Sequence, residues 1–349
     1  LCNALTELGV DGSAEPDLAE EVIREYGYDH ITPTFLKAAQ VTTGGLTADQ
    51  HRRDKLKSAM CAQGFYEAMT LAFYADADLD ALHIAPDAPE RNVIRIVNPI
   101  SSNLTIMRSL LAPSLLNVAV TNLKKGNAAG RLFELSNIYV PKQLPLTELP
   151  DERMMFTLGM YGDGDFFDMK GVVEEFFDQI GMHKKTEYDP KAGKTFLHPG
   201  RQALISYEGE VMGYLGEVHP AVADTYGIGT RAYVAVLDIL NVVKHASFDR
   251  KYEGIAKFPA VNRDISMVVP KEIMVGQIEH MIAQRGGKIL EHFELFDIYE
   301  GDQIEKGFKS VAYSLTFRSK EKTLEEAEIN GAMNKILNGL ESMGIQLRK

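Results

Sequence analysis

Tryptophan is absent from this 349-residue chain, and cysteine is nearly so, represented by Cys2 and Cys61 alone. Two thiols cannot make a disulfide scaffold, so a packed core must hold the fold, and a reducing, cytoplasmic setting is expected. No apolar run approaches the roughly twenty residues that span a bilayer, and the start lacks the basic and apolar blocks of a secretory leader. With Leu1 where a methionine would stand, the chain is expected to be a fragment. The phosphate loop G-x-x-x-x-G-K-S/T is missing, and YGIGTR (226–231) has no third glycine opening a helix, as a dinucleotide loop requires. There is no nucleophile elbow, and no cysteine has an activating histidine by motif. An excess of basic residues is also lacking. The formal charge is −12, which argues against a protein coated in nucleic acid. Its distribution is uneven: Ala256 to Lys349 holds 13 basic and 14 acidic residues, leaving 24 and 35 for the rest. The last segment is therefore the part least repelled by RNA.

What the chain does have is 45% hydrophobic residues, enough for two or three globular domains. It is organised around residues 94–140. These read as a strand IRIV (94–97), a turn at NPIS (98–101), a loop into MRSLL, an enclosed helix from Leu115 to Leu123, and a second strand (131–140). Pro99 fixes its own φ and holds Asn98 out of the helical region. Lys124, Lys125 and Gly126 end the helix as a basic last turn with a glycine stop. The plain reading is a buried core. A site at its edge would have Arg108, Arg131 and Glu134 to work with.

Upstream, DLAEEVIREYGYD predicts a helix capped by Asp17 and stopped by Gly27. Asp17, Glu20 and Glu21 then share one face, which suits either the helix dipole or an oxygen-rich Mg²⁺ site. A helix near 47–63 turns Leu56, Ala59 and Met60 inward and His51, Arg52, Arg53 and Lys57 outward. Strands are expected at MTLAFY (69–74) and RMMFTLGMY (153–161), with a surface loop at 142–152. GDGDFFDMKG (162–171) lacks the spacing of a calcium loop and reads as a turn into a helix burying Val172, Val173, Phe176, Phe177 and Ile180. Residues 203–218 read as a hairpin turning at Glu208–Gly209. His198 in HPGR and His219 in GEVHP have no companion ligands at metal spacing, so backbone-bonding turn residues are the preferred reading over ligands or proton shuttles.

From about residue 256 the order is β-α-β-β-α-β, a ferredoxin-like arrangement. Ile265, Met267 and Val269 mark the core face of its first strand, and Thr323 with Glu326 suggests a capping box for its long second helix. KGFKSVAY (306–313) partly matches an RNA-recognition signature, with Ser310 in place of the central stacking aromatic and Lys309 in place of a small residue. Ser310, Ala312, Ser314, Thr316 and Arg318 share a small, polar strand face. Arg263, Lys309 and Arg318 are the candidates for RNA-backbone contact.

NPISSNLTIMRSLLAPSLL followed by RLFEL resembles the non-catalytic core of the β chain of bacterial phenylalanyl-tRNA synthetase. The resemblance continues through DFFDMKGVVE, HPGR, GEVHP, FPAVNRDISMVV and SVAYSLTFRS, in the family's order. It implies an α+β fold with three parts. Residues 1–33 would be a remnant of a small helical domain, 34–250 a class II synthetase-like antiparallel core, and 251–349 a ferredoxin-like anticodon-binding domain. It implies work within an α₂β₂ ligase that joins phenylalanine to tRNA-Phe with ATP, the α chain carrying the active site. It further implies Mg²⁺ ligands at Asp17, Glu20 and Glu21, and at Asp11 six residues upstream. RLFEL departs from the family's catalytic pattern, because Gly130 stands where an aromatic precedes the arginine. No catalytic residue is expected on this chain. The alternatives are a stand-alone RNA- or protein-binding module, and a hydrolase using the carboxylates or the two histidines.

Overall fold

The computed structural model describes residues 14–34, 44–248, 251–252, 254–301 and 303–348. The chain divides into two units, residues 1–51 and 52–349. The first contains α1 (Ala14–Tyr26), with Pro16 in its first turn, where a missing N–H forfeits no intrahelical bond. Asp17 is thus inside the helix rather than capping it, which corrects its expected place; with Glu15 it complements the positive end. Gly27, at φ 112°, ends the helix with its N–H on Ile23 O at 2.8 Å. The next helix, α2 (Ala48–Ala62), buries Leu56, Ala59 and Met60, as its periodicity predicts.

The second unit continues through β1 (Tyr66–Glu67), β2 (Phe73–Tyr74), the short α3 (Asp76–Ala81), β3 (Ile106–Met107) and α4 (Ala112–Lys124). There follow β4 (Gly130–Val140), β5 (Asp151–Tyr161), α5 (Phe166–Gln179), β6 (Thr186–Asp189), β7 (Leu197–Tyr207) and β8 (Glu210–Val218). Next come α6 (Pro220–Tyr226), β9 (Ala232–Asp238) and α7 (Ile239–His245). Seven strands join in the order β1-β4-β5-β9-β8-β7-β6, antiparallel except for β1 beside β4. Alternation sends Phe133, Phe156, Leu158, Ala235 and Leu237 to one face, against Met60, Phe176, Phe177 and Val242 of α2, α5 and α7. Leu132, Val234, Val236 and Tyr214 line the other face, under Leu115, Leu116 and Ala119 of α4 and Val222 of α6. Both faces are covered. At Gly159 the approach of α4 is so close that a Cβ would meet Leu115 Cδ2 at 2.8 Å.

Several expected elements shrink or move. IRIV contracts to a single bridge, Arg95 to Ile106, flanked by Ile96 N–H on Thr105 O at 3.0 Å. MTLAFY survives only at β2, because Thr70 turns aside into polar contacts described below. α4 starts at Ala112, with Pro113 in its first turn, and its outer row, including Asn117 and Thr121, faces solvent rather than protein. The hairpin turn at Glu208 and Gly209 is as read, with both residues at positive φ, 50° and 80°. The turn before α5 is also as read, with Asp165 accepting from Phe167 N–H (2.7 Å) and Asp168 N–H (3.0 Å).

The remaining elements are β10 (Val261–Pro270), α8 (Val275–Gly286), β11 (Leu290–Tyr299), β12 (Phe308–Phe317), α9 (Glu326–Glu341) and β13 (Gln346–Leu347). The strand order β11-β12-β10-β13 is the ferredoxin arrangement, with both helices on one face. Ile265, Met267, Val269, Val311, Tyr313 and Leu315 meet Ile278, Ile282, Ile329 and Ile336 in that core. The cap of α9 lies two residues later than expected: Glu325 N–H reaches Glu328 Oε2 at 3.0 Å, so Thr323 and Glu326 do not form the box.

Candidate functional site

The central core holds a fully buried ion pair, Arg108 with Glu134, at 3.0 Å and 3% and 1% side-chain exposure. Glu134 lies on β4, on the face under α4, opposite Thr157 of β5. Arg108 enters from the end of β3. Its Nε donates to Asn137 O (2.8 Å), and its Nη1 to Thr70 Oγ1 (3.0 Å) and Leu71 O (3.3 Å). Thr70 donates its hydroxyl to both Glu134 oxygens, at 3.0 and 2.8 Å. The network therefore pins the 70–71 segment and the 108 segment to the central sheet. The charged groups of the network satisfy one another inside protein, while Thr70 and Leu71 also line a surface groove.

Arg131 is the other polar residue of RLFEL. Residues three apart on a regular strand face opposite sides, so Arg131 and Glu134 cannot act on one substrate. Arg131 instead lies 3.8 Å from Asp163, at the sheet's end. Helices pack on both faces of the sheet that carries them.

His198 and His219 do come together, ring centroids 6.4 Å apart and stacked. Each spends Nδ1 on a backbone N–H, His198 accepting from Gly200 (3.1 Å) and His219 from Ala221 (3.2 Å). These are the turn roles their sequence context predicts. Beside them Arg201 holds the buried Glu217 through Nη1, at 3.0 and 3.1 Å.

On α1, Glu20 is exposed while Asp17 and Glu21 are half-buried, one turn apart as their numbering dictates. Glu21 Oε2 is already taken by Arg24, through Nε (3.0 Å) and Nη2 (2.6 Å). Asp11 lies outside the described residues. Among the described residues no three histidines, cysteines or acids gather closely enough to hold a metal ion. As placed, these carboxylates do not by themselves fit Mg²⁺, which requires near-octahedral oxygens about 2.0–2.1 Å away.

The three basic candidates in the terminal domain do not converge. Arg263 pairs in register with Leu315, on the helix side, and its Nη2 clasps both oxygens of Glu326 at 2.7 and 3.0 Å. That contact ties β10 to the start of α9. Lys309 pairs in register with the buried Val269 and lays Nζ 3.4 Å from Lys271 O. Arg318 follows Thr316 on the open face, its Nε on Glu291 Oε2 at 2.9 Å. Sequence reasoning missed the company on that face: Asp264, Glu294 and Asp297 stand opposite Ser314 and Ala312 from the two neighbouring strands. Their cross-strand positions could not be known before the register was.

The description "Phenylalanyl tRNA synthetase beta chain CLM domain" matches residues 32–239. The chain belongs to that family. "Ferredoxin-fold anticodon binding domain" matches residues 256–348, over the βαββαβ unit. Among similar proteins, the phenylalanine–tRNA ligase β subunit of Clostridium acetobutylicum is 37% identical over 97% of this chain and 42% of its own length. Those of Clostridium tetani and Halalkalibacterium halodurans are 36% and 34% identical, over 95% and 96% of this chain. The chain thus spans 42% of the length of each of these relatives. Pyrrolysyl-tRNA synthetase from Desulfitobacterium hafniense aligns over 56% of this chain and 68% of its own, at a TM-score of 0.47 and 14% identity, a likeness too loose to add to the family assignment. No helix among the described residues is long and apolar enough to cross a membrane.

Proposed function

We propose that this chain is a β-chain part of a phenylalanine–tRNA ligase that does no chemistry itself. It supports ATP-dependent attachment of phenylalanine to tRNA-Phe by holding the α chain and the tRNA in an α₂β₂ assembly in the cytoplasm. The observation that carries this reading is the fate of the strand where a synthetase keeps catalytic arginine and glutamate. Here Glu134 is sealed in a buried pair and Arg131 faces the other way. ATP and Mg²⁺ belong, in this reading, to the α chain's site.

In the same reading residues 34–250 are the silent core and 251–349 the tRNA-binding domain, with 1–33 left from a small helical domain. Of the basic candidates, Arg263 is structural, whereas Lys309 and Arg318 reach the RNA backbone. Support comes from their bonds: Lys309 makes one long contact to a carbonyl, and Arg318 a single-donor bond to a half-exposed glutamate. Both can be exchanged for phosphate. The test is co-elution: the purified chain should co-elute with a phenylalanyl-tRNA synthetase α chain on gel filtration, and independent elution at micromolar concentration would remove the reading.

A further inference from the structure

The turn 180–185, between α5 and β6, meets the place where the chain leaves the central sheet. Ile180 O accepts Ser247 N–H at 2.9 Å, just after the end of α7. Gly181 lies so close to that residue that a Cβ would stand 1.8 Å from Ser247 O, and its φ of 83° also favours glycine. Ile180 and Met182, on either side, are buried in the core and fix the turn from within. Lys184 holds its outer flank: the N–H donates to the Tyr207 hydroxyl at 3.0 Å, and Nζ pairs with Glu208 of the β7–β8 turn. Lys185, the next residue, pairs instead with Glu279 of α8, in the terminal domain.

The covalent route between the two domains is long. Its described residues between α7 and β10 form neither helix nor strand, and Tyr252 and Ile255 there are exposed. A backbone of that length, at about 3.3 Å per residue when extended, fixes no angle between what it joins. The apolar cores of the two domains are separate, so their relative orientation falls to polar contacts. Glu279 suits that part. Its side chain is 20% exposed, against 46% for Lys185, and among the described residues Lys185 is the cation paired with it. Nearby, the buried Tyr313 hydroxyl finds no hydrogen-bond partner among the described residues. Burial first, and then the charge of Glu279, push that phenol far above its ordinary range. A carboxylate partly withdrawn from water in this way gains more from a cation than one on an open surface.

We propose that Lys185 and Glu279 are positioning residues for the tRNA-binding domain. The 180–185 turn holds the root of the connection at Ser247 and, through Lys185, sets the angle at which α8 and its domain meet the core. The proposal rests on the reading above that this domain takes tRNA-Phe. Lys184, one residue away, bonds only within the central domain and serves as the control.

The experiment has two arms. Small-angle scattering of the purified chain should give a larger radius of gyration for Lys185→Glu and for Glu279→Lys, and the wild-type value when the two exchanges are combined. In charging of tRNA-Phe by the assembled enzyme, each single variant should raise KM for tRNA about two- to fivefold, the range of a partly exposed ion pair, with kcat unchanged. The combined exchange and Lys185→Arg should both restore KM, and Lys184→Glu should change neither readout. Equal melting of the variants excludes misfolding. Single variants that scatter as wild type does would overturn the proposal whatever KM does. A combined exchange no better than the single variants would also overturn it, since Lys185 would then act on RNA through its own charge. Failure of wild type to charge tRNA-Phe would sink the reading above, and the scattering alone would then decide whether the pair holds the domain.

Discussion

Replacing Glu134 by glutamine removes one charge from the buried pair while keeping the side chain's size. Arg108 would then retain its charge at 3% exposure, facing only Thr70 Oγ1, Gln Oε1 and the carbonyls of Leu71 and Asn137. Breaking a buried pair by removing one partner costs about 3–5 kcal/mol, because the survivor is left in protein rather than water. The glutamine oxygen still accepts a hydrogen bond, so the expected loss is about 3 kcal/mol. For a domain of this size that is a fall of roughly 6–12 °C in the melting temperature of the core. The chain has no tryptophan, so far-UV circular dichroism follows the transition. The double variant Arg108→Met/Glu134→Leu should recover most of the loss, since an apolar pair of similar volume carries no desolvation penalty. A Glu134→Gln protein within about 1 kcal/mol of wild type would refute the reasoning, because the pair would then not be desolvated as its burial implies.

Gly213→Ala should destabilise by about 3 kcal/mol or more, since its Cβ would lie 2.0 Å from Val236 O, a backbone atom with no freedom to retreat; urea denaturation checks it. Asp76 is held below the ordinary carboxylate range of 3.8 chiefly by its hydrogen bonds to Arg95, at 2.8 and 2.9 Å. That stabilisation is present above pH 3.8 and disappears as pH falls through the depressed value. Asp76→Asn should therefore lower stability at neutral pH only, by at most about 1 kcal/mol for so exposed a pair, and the difference should vanish in acid. In the assembled enzyme, Lys309→Ala and Arg318→Ala should each weaken tRNA-Phe binding and flatten the log–log salt slope by roughly 0.7–0.9; unchanged slopes in both would remove them from the RNA surface. Mg²⁺ should raise the melting temperature of wild type and Glu20→Lys equally if α1 carries only dipole-complementing acids, whereas a shift lost in the variant would assign the ion to that helix.

The terminal domain was legible almost strand by strand, because Ile265, Met267 and Val269 alternate cleanly and the helices between strands keep one apolar side. The long strands of the central sheet were equally plain at 131–140 and 153–161. The short elements were not. β1 is only Tyr66–Glu67, and pairing with β4, not local pattern, makes it a strand. Residues 69–72 have strand composition, yet Thr70 bonds Glu134, a residue 64 positions away, and the strand gives way. His198 and His219 were read correctly from their neighbouring prolines and glycine, which announce turns. The partner of Arg108 was not readable, since Arg108 and Glu134 meet only when β3 and β4 have found their places.

Pyrophosphate exchange with phenylalanine and ATP tests the silent-core account most directly. It is measured on this chain alone, after mass spectrometry has excluded α chain, and again after α chain is added. The account predicts no exchange by the chain alone and exchange once the α chain is present, unchanged by Arg131→Ala. Exchange by the chain alone that disappears with Arg131→Ala would contradict it.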